Sequence, residues 1–102
     1  MLDSLHYEDY ARCLNTKFKA QIDETSTMEI ELIAVKDKSP SPRHKQFVLT
    51  FLAPVNAPVS QQIFTVHHEQ LGNGTIFLVP IAKDAGGVTY EAVFNRLRQV
   101  EQ

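Results

Sequence analysis

Residues 65–81, TVHHEQLGNGTIFLVPI, contain the pattern that decides the fold. Val66 and His68 alternate with more polar neighbours, as at the end of a strand with one solvated face. Residues 72–74 (GNG) are a strong turn signal, because glycine and asparagine tolerate positive φ. Residues 75–81 (TIFLVPI) are apolar at nearly every position, which predicts a strand with both faces covered. The stretch therefore predicts two strands joined by a tight turn.

The same two-residue period recurs along the chain and predicts about six strands. In residues 28–35 the apolar residues alternate up to Leu32 and then occupy both parities. That change indicates either a strand that becomes covered on both faces or a bulge near residues 32–34. The predicted strands are residues 17–23, 28–35, 46–52, 63–68, 75–81 and 88–95.

A period of about 3.6 residues near the N-terminus predicts one helix. Asp3 or Ser4 is expected to cap it, since a short oxygen-bearing side chain accepts a hydrogen bond from a free N–H of the first turn. Residues 15–16 are expected to end it. The helix has one apolar stripe with the i, i+3, i+4, i+7 spacing, made of Tyr7, Tyr10, Ala11 and Leu14.

These elements together predict a mainly β (α+β) protein with one N-terminal helix and about six antiparallel strands. Sequential strands usually neighbour each other, so we expect a meander that curls into a small barrel or a two-layer sheet. The helix would cover one open face or end. A length of 102 residues suits one domain, which we assign to residues 1–102.

The charge pattern argues against a nucleic-acid partner. Ten basic and twelve acidic residues give a formal net charge of −2. The basic residues are scattered, and their densest groups are residues 43–45 and the pair Arg96 and Arg98. Domains that bind nucleic acids usually carry a basic stripe. We therefore expect no nucleic-acid partner.

Cysteine usage and hydropathy indicate the compartment. Cys13 is the only cysteine, so no intrachain disulfide can form, which favours a reducing compartment. We expect an inert thiol, because reactive thiols need a nearby cation or base. No apolar run approaches the ~20 residues needed to span a bilayer, and residues 1–10 lack a basic n-region followed by an apolar h-region. A soluble, cytoplasmic protein without a membrane partner is predicted.

Residues 67–69 (HHE) are the strongest candidate for a metal site. Adjacent strand residues point to opposite faces, so His67 and His68 cannot easily bind one metal ion. His67 and Glu69 share a face, but two ligands fall short of the three or four that a zinc site uses. We expect His67 to face solvent and His68 to be partly buried and hydrogen-bonded to a backbone carbonyl. No metal and no cofactor are predicted.

Other catalytic patterns are missing, which leaves two loops as candidate functional segments. The sequence has no Gly-x-Ser-x-Gly elbow and no phosphate-binding glycine motif, so no catalytic residue is assigned and enzymatic activity is not expected. Rigid loops displayed by a sheet are common places for partner contact. We expect the two proline-containing loops to lie near each other; the alternative is that they are only stiffened connections. The candidate interaction residues are Ser39, Pro40 and Pro42 in one loop and Pro54 and Pro58 in the other.

Several motifs resemble a family of small uncharacterised bacterial proteins of about this length. The family pattern is F-x-L-x-F, then Y-x-L-x-H-x-x-L-G-x-x-x-L-F-L-V-P-I, then Y-E-A-V-F-N. Phe64 stands where the family has tyrosine, and the helix followed by Phe18 is similar to the family's opening. The residues that match directly are Phe47, Leu49, Phe51, His68, Leu71, Gly72, residues 77–81 and residues 90–95.

The resemblance implies a role but no activity. Some members of that family are encoded near phage-tail-collar-like proteins, which implies a structural or accessory role in a tail-like or secreted-fibre system. No catalytic residue can be carried over, because the family has none assigned. The polar positions among the matches are His68, Glu91 and Asn95.

Two functional hypotheses follow. The first is a non-enzymatic structural or protein-interaction domain that binds an unidentified protein partner through an exposed strand edge or the proline loops. The alternative is a small-molecule-binding barrel or an enzyme of unknown activity. A core filled by phenylalanines would argue against this alternative, and the sequence does not set the oligomeric state. The cavity of the alternative would be lined from His68, Tyr90, Glu91 and Asn95, with at most one of the adjacent Tyr90 and Glu91 facing it.

Overall fold

Six antiparallel strands and one short helix make up the computed structural model, which describes residues 5–97. The strands join side by side into a closed barrel. The predicted mainly β class with one N-terminal helix is confirmed. The elements are α1 (Tyr7–Ala11), β1 (Lys17–Gln21), β2 (Thr27–Asp37), β3 (His44–Ala53), β4 (Gln62–His68), β5 (Gly72–Asp84) and β6 (Gly87–Leu97).

Alternating apolar residues fill the inside of the barrel. β1 turns Phe18 and Ala20 inward between exposed polar residues, and β4 turns Phe64 and Val66 inward in the same way. Burying one such large side chain contributes roughly 1.5–3 kcal/mol, so a one-residue slip that exposed a strand's whole inner set would be strongly disfavoured. The largest fully buried side chains are Tyr10, Tyr90, Phe18, Phe51, Phe64, Ile30, Leu32, Leu49, Leu78, Val66 and Val88.

The strand order departs from the predicted meander. Around the barrel the order is β1, β2, β3, β6, β5 and β4, and β4 closes the ring against β1. The strands β1, β2 and β3 are connected in series, and β4 returns to lie beside β1, which is a Greek-key arrangement. β3 pairs with β6 instead of β4, over ten consecutive positions. Neighbour pairing of sequential strands is therefore broken once, between β3 and β4.

The proline-containing loop of residues 54–61 makes that break possible. It carries the chain from β3 to β4, past the positions that β6 and β5 occupy in the ring. Ala57 is buried within it, and the Ala57 N–H donates to the carbonyl of Pro54 at 3.0 Å. The hydroxyl of Tyr90 on β6 donates to the carbonyl of Pro58. The loop is thus fastened to a barrel strand that it crosses.

Two β-bulges bend the long strands. The register between β2 and β3 shifts at Ile33, so of the two alternatives for residues 32–34 the bulge is the one observed. The register between β5 and β6 shifts at Ile81, next to Pro80, where a residue without an N–H is tolerated. Bulges increase strand twist. β5 pairs with β4 before this second bulge and with β6 around it.

The helix α1 is shorter than the predicted one. It spans five residues, Tyr7–Ala11, and the His6 N–H donates to the Asp9 carboxylate at 3.0 Å at its start. Asn15 adopts φ 67° and ends the turn that follows, at the predicted stop. The two predicted caps, at positions 3 and 4, lie outside the described residues. Within residues 5–97, no helix has the length and apolar content needed to cross a bilayer.

Aromatic rings hold α1 against the sheet. Tyr10 is fully buried, and its ring centroid lies 5.9 Å from that of Phe47 and 5.6 Å from that of Phe94. Tyr7 meets the same Phe47 edge-on at 6.2 Å. Leu14, which the predicted stripe placed toward the core, is 42% exposed because the helix has already ended. The predicted aromatic face of the helix is otherwise confirmed.

The molecule is elongated, with principal extents of 49 × 25 × 23 Å. The strands β2, β3 and β6 have ten or eleven residues each, whereas β1 has five and β4 seven. The paired ends of these three long strands therefore continue past the short ones, and residues 38–43 connect β2 to β3 there.

Candidate functional site

His68 is a buried histidine at the end of β4, with 4% of its surface exposed. Its Nδ1 accepts hydrogen bonds from the backbone N–H groups of Gln70 at 3.0 Å and Leu71 at 3.2 Å. Because Nδ1 accepts, the ring proton lies on Nε2, which donates to the Thr16 hydroxyl at 2.9 Å. That hydroxyl donates to the Cys13 carbonyl at 2.6 Å. The partners are a hydroxyl and two N–H groups rather than the predicted carbonyl.

This network gives His68 a structural role. It ties the turn between β4 and β5 to the connection between α1 and β1, and the ring also packs on Phe18 with centroids 4.3 Å apart. Burial lowers the pKa of His68, although nearby Glu69 opposes the shift. A second ring proton would face two N–H donors, so the neutral form suits the site. The sequence did not identify Thr16 as a partner of His68, because no local pattern connects residues that are 52 positions apart.

Cys13, beside this network, is buried, and its Sγ lies 3.8 Å from Oε1 of Gln70. Burial raises the pKa of the Cys13 thiol, while nearby Arg12 opposes the shift less strongly. The thiol therefore stays protonated near neutral pH, and a protonated thiol is a poor nucleophile. The arrangement supports the predicted inert thiol.

His67 lies on the outer surface, in a row of polar residues across four strands. Lys19 of β1 stands opposite both Glu29 of β2 and His67 of β4, and His67 stands opposite Asn73 of β5. Nδ1 of His67 is hydrogen-bonded to Oδ1 of Asn73. An open groove of about 300 Å³ runs beside this row and is lined by Lys17, Lys19, Glu29, His67 and Glu69.

The chemistry of this groove is that of a solvated charged surface. Nζ of Lys17 lies 3.4 Å from Oε1 of Glu29, and both side chains are more than half exposed. Such exposed pairs contribute little to stability or binding. Among residues 5–97, no three His, Cys, Asp or Glu side chains are placed to hold a metal ion. His67 and Glu69 both line the groove, but no third ligand from the described part of the chain joins them there.

The polar residues proposed to line a cavity do not come together. His68 and Tyr90 point into the barrel, whereas Glu91 and Asn95 stand on its outer face. Oδ1 of Asn95 bonds Nε2 of His44 on the neighbouring strand at 2.6 Å. Glu91 is opposite Thr50 in the outward-facing register. Within β6 the alternation of side chains places Tyr90 on one face and Glu91 and Asn95 on the other, so these three residues cannot line one cavity.

The barrel interior is filled by side chains. Phe47, Phe51 and Phe64 are buried, and Phe94 is partly buried and packed against the core. Phe77 departs from this expectation, because 50% of its surface is exposed. Four of the five phenylalanines expected in the core therefore lie in it or pack against it.

The two proline-containing loops lie far apart, contrary to prediction. Residues 38–43 precede β3, and residues 54–61 follow it. β3 has ten residues, which at about 3.3 Å each separates its ends by roughly 30 Å. The two loops start from opposite ends of β3, so they do not form one contact surface.

The outer face of β4, β5 and β6 carries an apolar patch. Ile63 is 67% exposed and lies directly opposite Phe77, which is 50% exposed. Val79 of β5 stands opposite Glu91 of β6. Val93 lies two residues after Glu91 on the same face of β6 and is 53% exposed. We call the apolar residues of this face, together with Ile81 at the β5 bulge, the outer apolar patch. It consists of Ile63, Phe77, Val79, Ile81 and Val93.

Residues 75–81 were predicted to have both faces covered, but within residues 5–97 only the inner face is covered. Ile76 and Leu78 are buried inside the barrel, but Phe77 and Ile81 face solvent. The sequence pattern that led to this prediction is present, because both the odd and the even positions of residues 76–81 are apolar. The covering layer that such a pattern normally indicates is not supplied by the described part of the chain.

The comparisons with known proteins identify a family. No curated protein and no solved structure matches the chain significantly. Residues 5–94 match the family described as Domain of unknown function (DUF6916). That range covers α1, all of β1 to β5 and most of β6. The chain therefore belongs to the DUF6916 family, a domain family without an assigned activity.

Proposed function

We propose that this domain is a non-enzymatic protein-interaction domain that binds a partner protein through the outer apolar patch. One observation carries the proposal: β5 is apolar on both faces, yet the described residues 5–97 cover only the inner one. Single exposed apolar residues are common on protein surfaces, but contiguous apolar patches mark interaction sites. Here Ile63 and Phe77 adjoin each other, because they are cross-strand partners.

The patch has the composition and shape of a contact surface. Only one charged residue, Glu91, stands among its members, whereas the groove beside His67 is mostly charged. Charged residues are depleted at the centres of protein interfaces, and aromatic residues such as Phe77 are enriched there. Covering the exposed parts of Ile63 and Phe77 would contribute about 1–2 kcal/mol each. A sheet face of this kind fits a flat apolar surface on a partner protein.

A phage-tail-like assembly is the proposed setting. The resemblance to proteins encoded near phage-tail-collar-like proteins supports it. In such an assembly the outer apolar patch would be covered by another structural subunit. The domain would then act as an accessory component rather than as a catalyst, which agrees with the filled barrel and the inert thiol.

The test is native mass spectrometry of the protein purified from its own host. The wild-type chain should carry an identified protein partner, and the Ile63→Thr/Phe77→Ser variant should lose it. Ile22→Thr is a matched control, because Ile22 is 40% exposed in the turn after β1, outside the patch. Binding is then measured again with the purified partner.

Two outcomes overturn the proposal: the wild-type chain is a monomer without a partner, or the double variant keeps its partner with unchanged affinity. A partner that is not a tail-type structural protein would leave the interaction function in place and remove the proposed setting.

A further inference from the structure

The β2–β3 hairpin end carries a concentration of positive charge that the sequence does not show directly. Lys45 on β3 stands opposite Arg96 on β6, so the register brings together two basic positions that are far apart in the sequence. Lys36, Lys38 and Arg43 are exposed nearby. We name residues 36–45 the hairpin tip. It lies at the end of the barrel where β2, β3 and β6 extend past β1 and β4.

Charge is segregated between the hairpin tip and the rest of the chain. The tip contains four basic residues and one acidic residue, a net charge of +3. The remaining 92 residues contain six basic and eleven acidic residues, a net charge of −5. A net charge of −2 for the whole chain therefore hides a strongly asymmetric molecule. Such separated charges orient a protein toward a complementary surface before contact.

The hairpin tip is held in one conformation by its own hydrogen bonds. The Ser39 N–H donates to Oδ1 of Asp37 at 2.9 Å, and the Gln46 N–H donates to Oγ of Ser39 at 3.0 Å. The Lys38 N–H donates to the carbonyl of Gln46 at 2.7 Å, and the His44 N–H donates to the carbonyl of Ser41 at 3.2 Å. Two prolines restrict the backbone further. A preorganised loop loses little entropy when it binds.

The single acidic residue of the tip does not neutralise it. Hydrogen bonds from Ser39, with a smaller contribution from nearby Lys45, lower the pKa of Asp37. Its carboxylate is engaged by Ser39 at the base of the loop. Lys36, Lys38 and Arg43 form no salt bridge within residues 5–97. Within the described residues, no ion pair neutralises these charges.

We propose that the hairpin tip binds an acidic segment of a partner protein. The proposal rests on the interaction function proposed above and adds a second contact, roughly at the far end of the molecule from the crossing loop. A protein segment fits better than a nucleic acid for two reasons. Residues 36–45 contain no Phe, Tyr or Trp ring on which a base could stack, and their one imidazole, that of His44, is hydrogen-bonded to Asn95. The net charge of −5 on the remaining chain also repels a long polyanion, whereas a short acidic segment needs only the tip.

The experiment is an NMR titration of the full chain with an oligoglutamate peptide, in parallel with a short DNA duplex and with phosphatidylglycerol vesicles. The peptide should shift amide resonances within residues 36–45, and added salt should reverse the shifts because exposed ion pairs are screened. The Lys38→Glu/Arg43→Glu variant should bind about tenfold more weakly. The Lys19→Glu/Lys83→Glu variant is the matched control, because it changes the net charge equally at exposed sites outside the tip.

The outcomes separate this proposal from the proposed function. Equal weakening in both double variants, or no shifts in residues 36–45 at low salt, would overturn the acidic-segment site and leave the outer apolar patch untouched. Tighter binding of the duplex or of the vesicles than of the peptide would also overturn it. The Phe77→Ser variant should bind the peptide like the wild type, since Phe77 lies on a different surface.

Discussion

Replacing His68 by phenylalanine removes three hydrogen bonds while keeping a ring in the same place. The Gln70 and Leu71 N–H groups lose their acceptor, and the Thr16 hydroxyl loses a donor. The new ring can still pack on Phe18, which lies 4.3 Å from the imidazole. The change therefore isolates the contribution of the network from that of packing.

The expected loss follows from the number of bonds and their exposure. A typical intramolecular hydrogen bond contributes about 0.5–1.5 kcal/mol net. Gln70 is exposed, so water can replace the acceptor of its N–H, whereas Thr16 is partly buried and keeps its bond to Cys13. We expect His68→Phe to lower the free energy of unfolding by about 2–3 kcal/mol. For a domain of this size that corresponds to a fall in Tm of roughly 10–20 °C.

The same network predicts a pH dependence with a defined sign. Burial holds the pKa of His68 below its ordinary value of 6.5. As pH falls, the unfolded chain binds this proton before the folded one does. The contribution of His68 to stability is therefore complete above about pH 6.5 and declines below it. The His68→Phe variant should lack this part of the acid destabilisation.

The assay is urea unfolding followed by circular dichroism between pH 5 and pH 8, a window that spans the ordinary histidine pKa. His67→Phe is the control, since His67 is exposed on the same strand, and it should stay within about 0.5 kcal/mol of the wild type. The reasoning is refuted if both variants lose the same stability, or if His68→Phe remains within that margin. An unchanged pH profile in His68→Phe would refute the linkage argument alone.

Three further substitutions test the fold. Gly87→Ala should cost more than about 2 kcal/mol in urea unfolding, because Gly87 has φ 137° and an added Cβ would lie 2.1 Å from the Ala53 carbonyl oxygen; a smaller loss would contradict this turn geometry. Tyr90→Phe should cost about 1 kcal/mol and speed hydrogen exchange in the crossing loop, since the bond to Pro58 is lost; unchanged exchange would show that the bond does not fasten the loop. Asn15→Ala should lower Tm by a few degrees, because alanine is strained at φ 67° by about 1 kcal/mol, and Asn15→Gly should not.

The local pattern predicted most of the elements, because burial inside a sheet repeats every two residues. β4 was predicted at residues 63–68 and is Gln62–His68, and the change of parity near Ile33 indicated either the bulge that is found there or a strand covered on both faces. The strand order was not predictable in this way. β3 could pair with either β4 or β6, since all three carry the same alternation, and only the closure of the whole barrel decides between them.

The candidate surfaces were predictable to different extents. The apolar character of both faces of β5 was evident in the sequence, but the pattern alone does not say whether the chain or a partner covers the outer one. The pairing of Lys45 with Arg96 depends on a register between residues 51 positions apart, which no local motif encodes. The hydrogen bond between His68 and Thr16 could not be predicted for the same reason, because the two residues are 52 positions apart in the sequence.

The crossing loop of residues 54–61 has a consequence for the speed of folding. Because it separates β3 from β4, the barrel closes through two pairings of strands distant in sequence, β1 with β4 and β3 with β6. Chain closure over such distances is entropically costly, and small β proteins dominated by distant pairings fold in milliseconds to seconds. The hairpins β1–β2 and β4–β5 need only local contacts. We therefore expect each hairpin to form separately during synthesis and the two to join when β6 has left the ribosome. During that interval β3 presents an unpaired edge to other nascent chains, which makes β6 the strand that protects this domain from aggregation while it is synthesised.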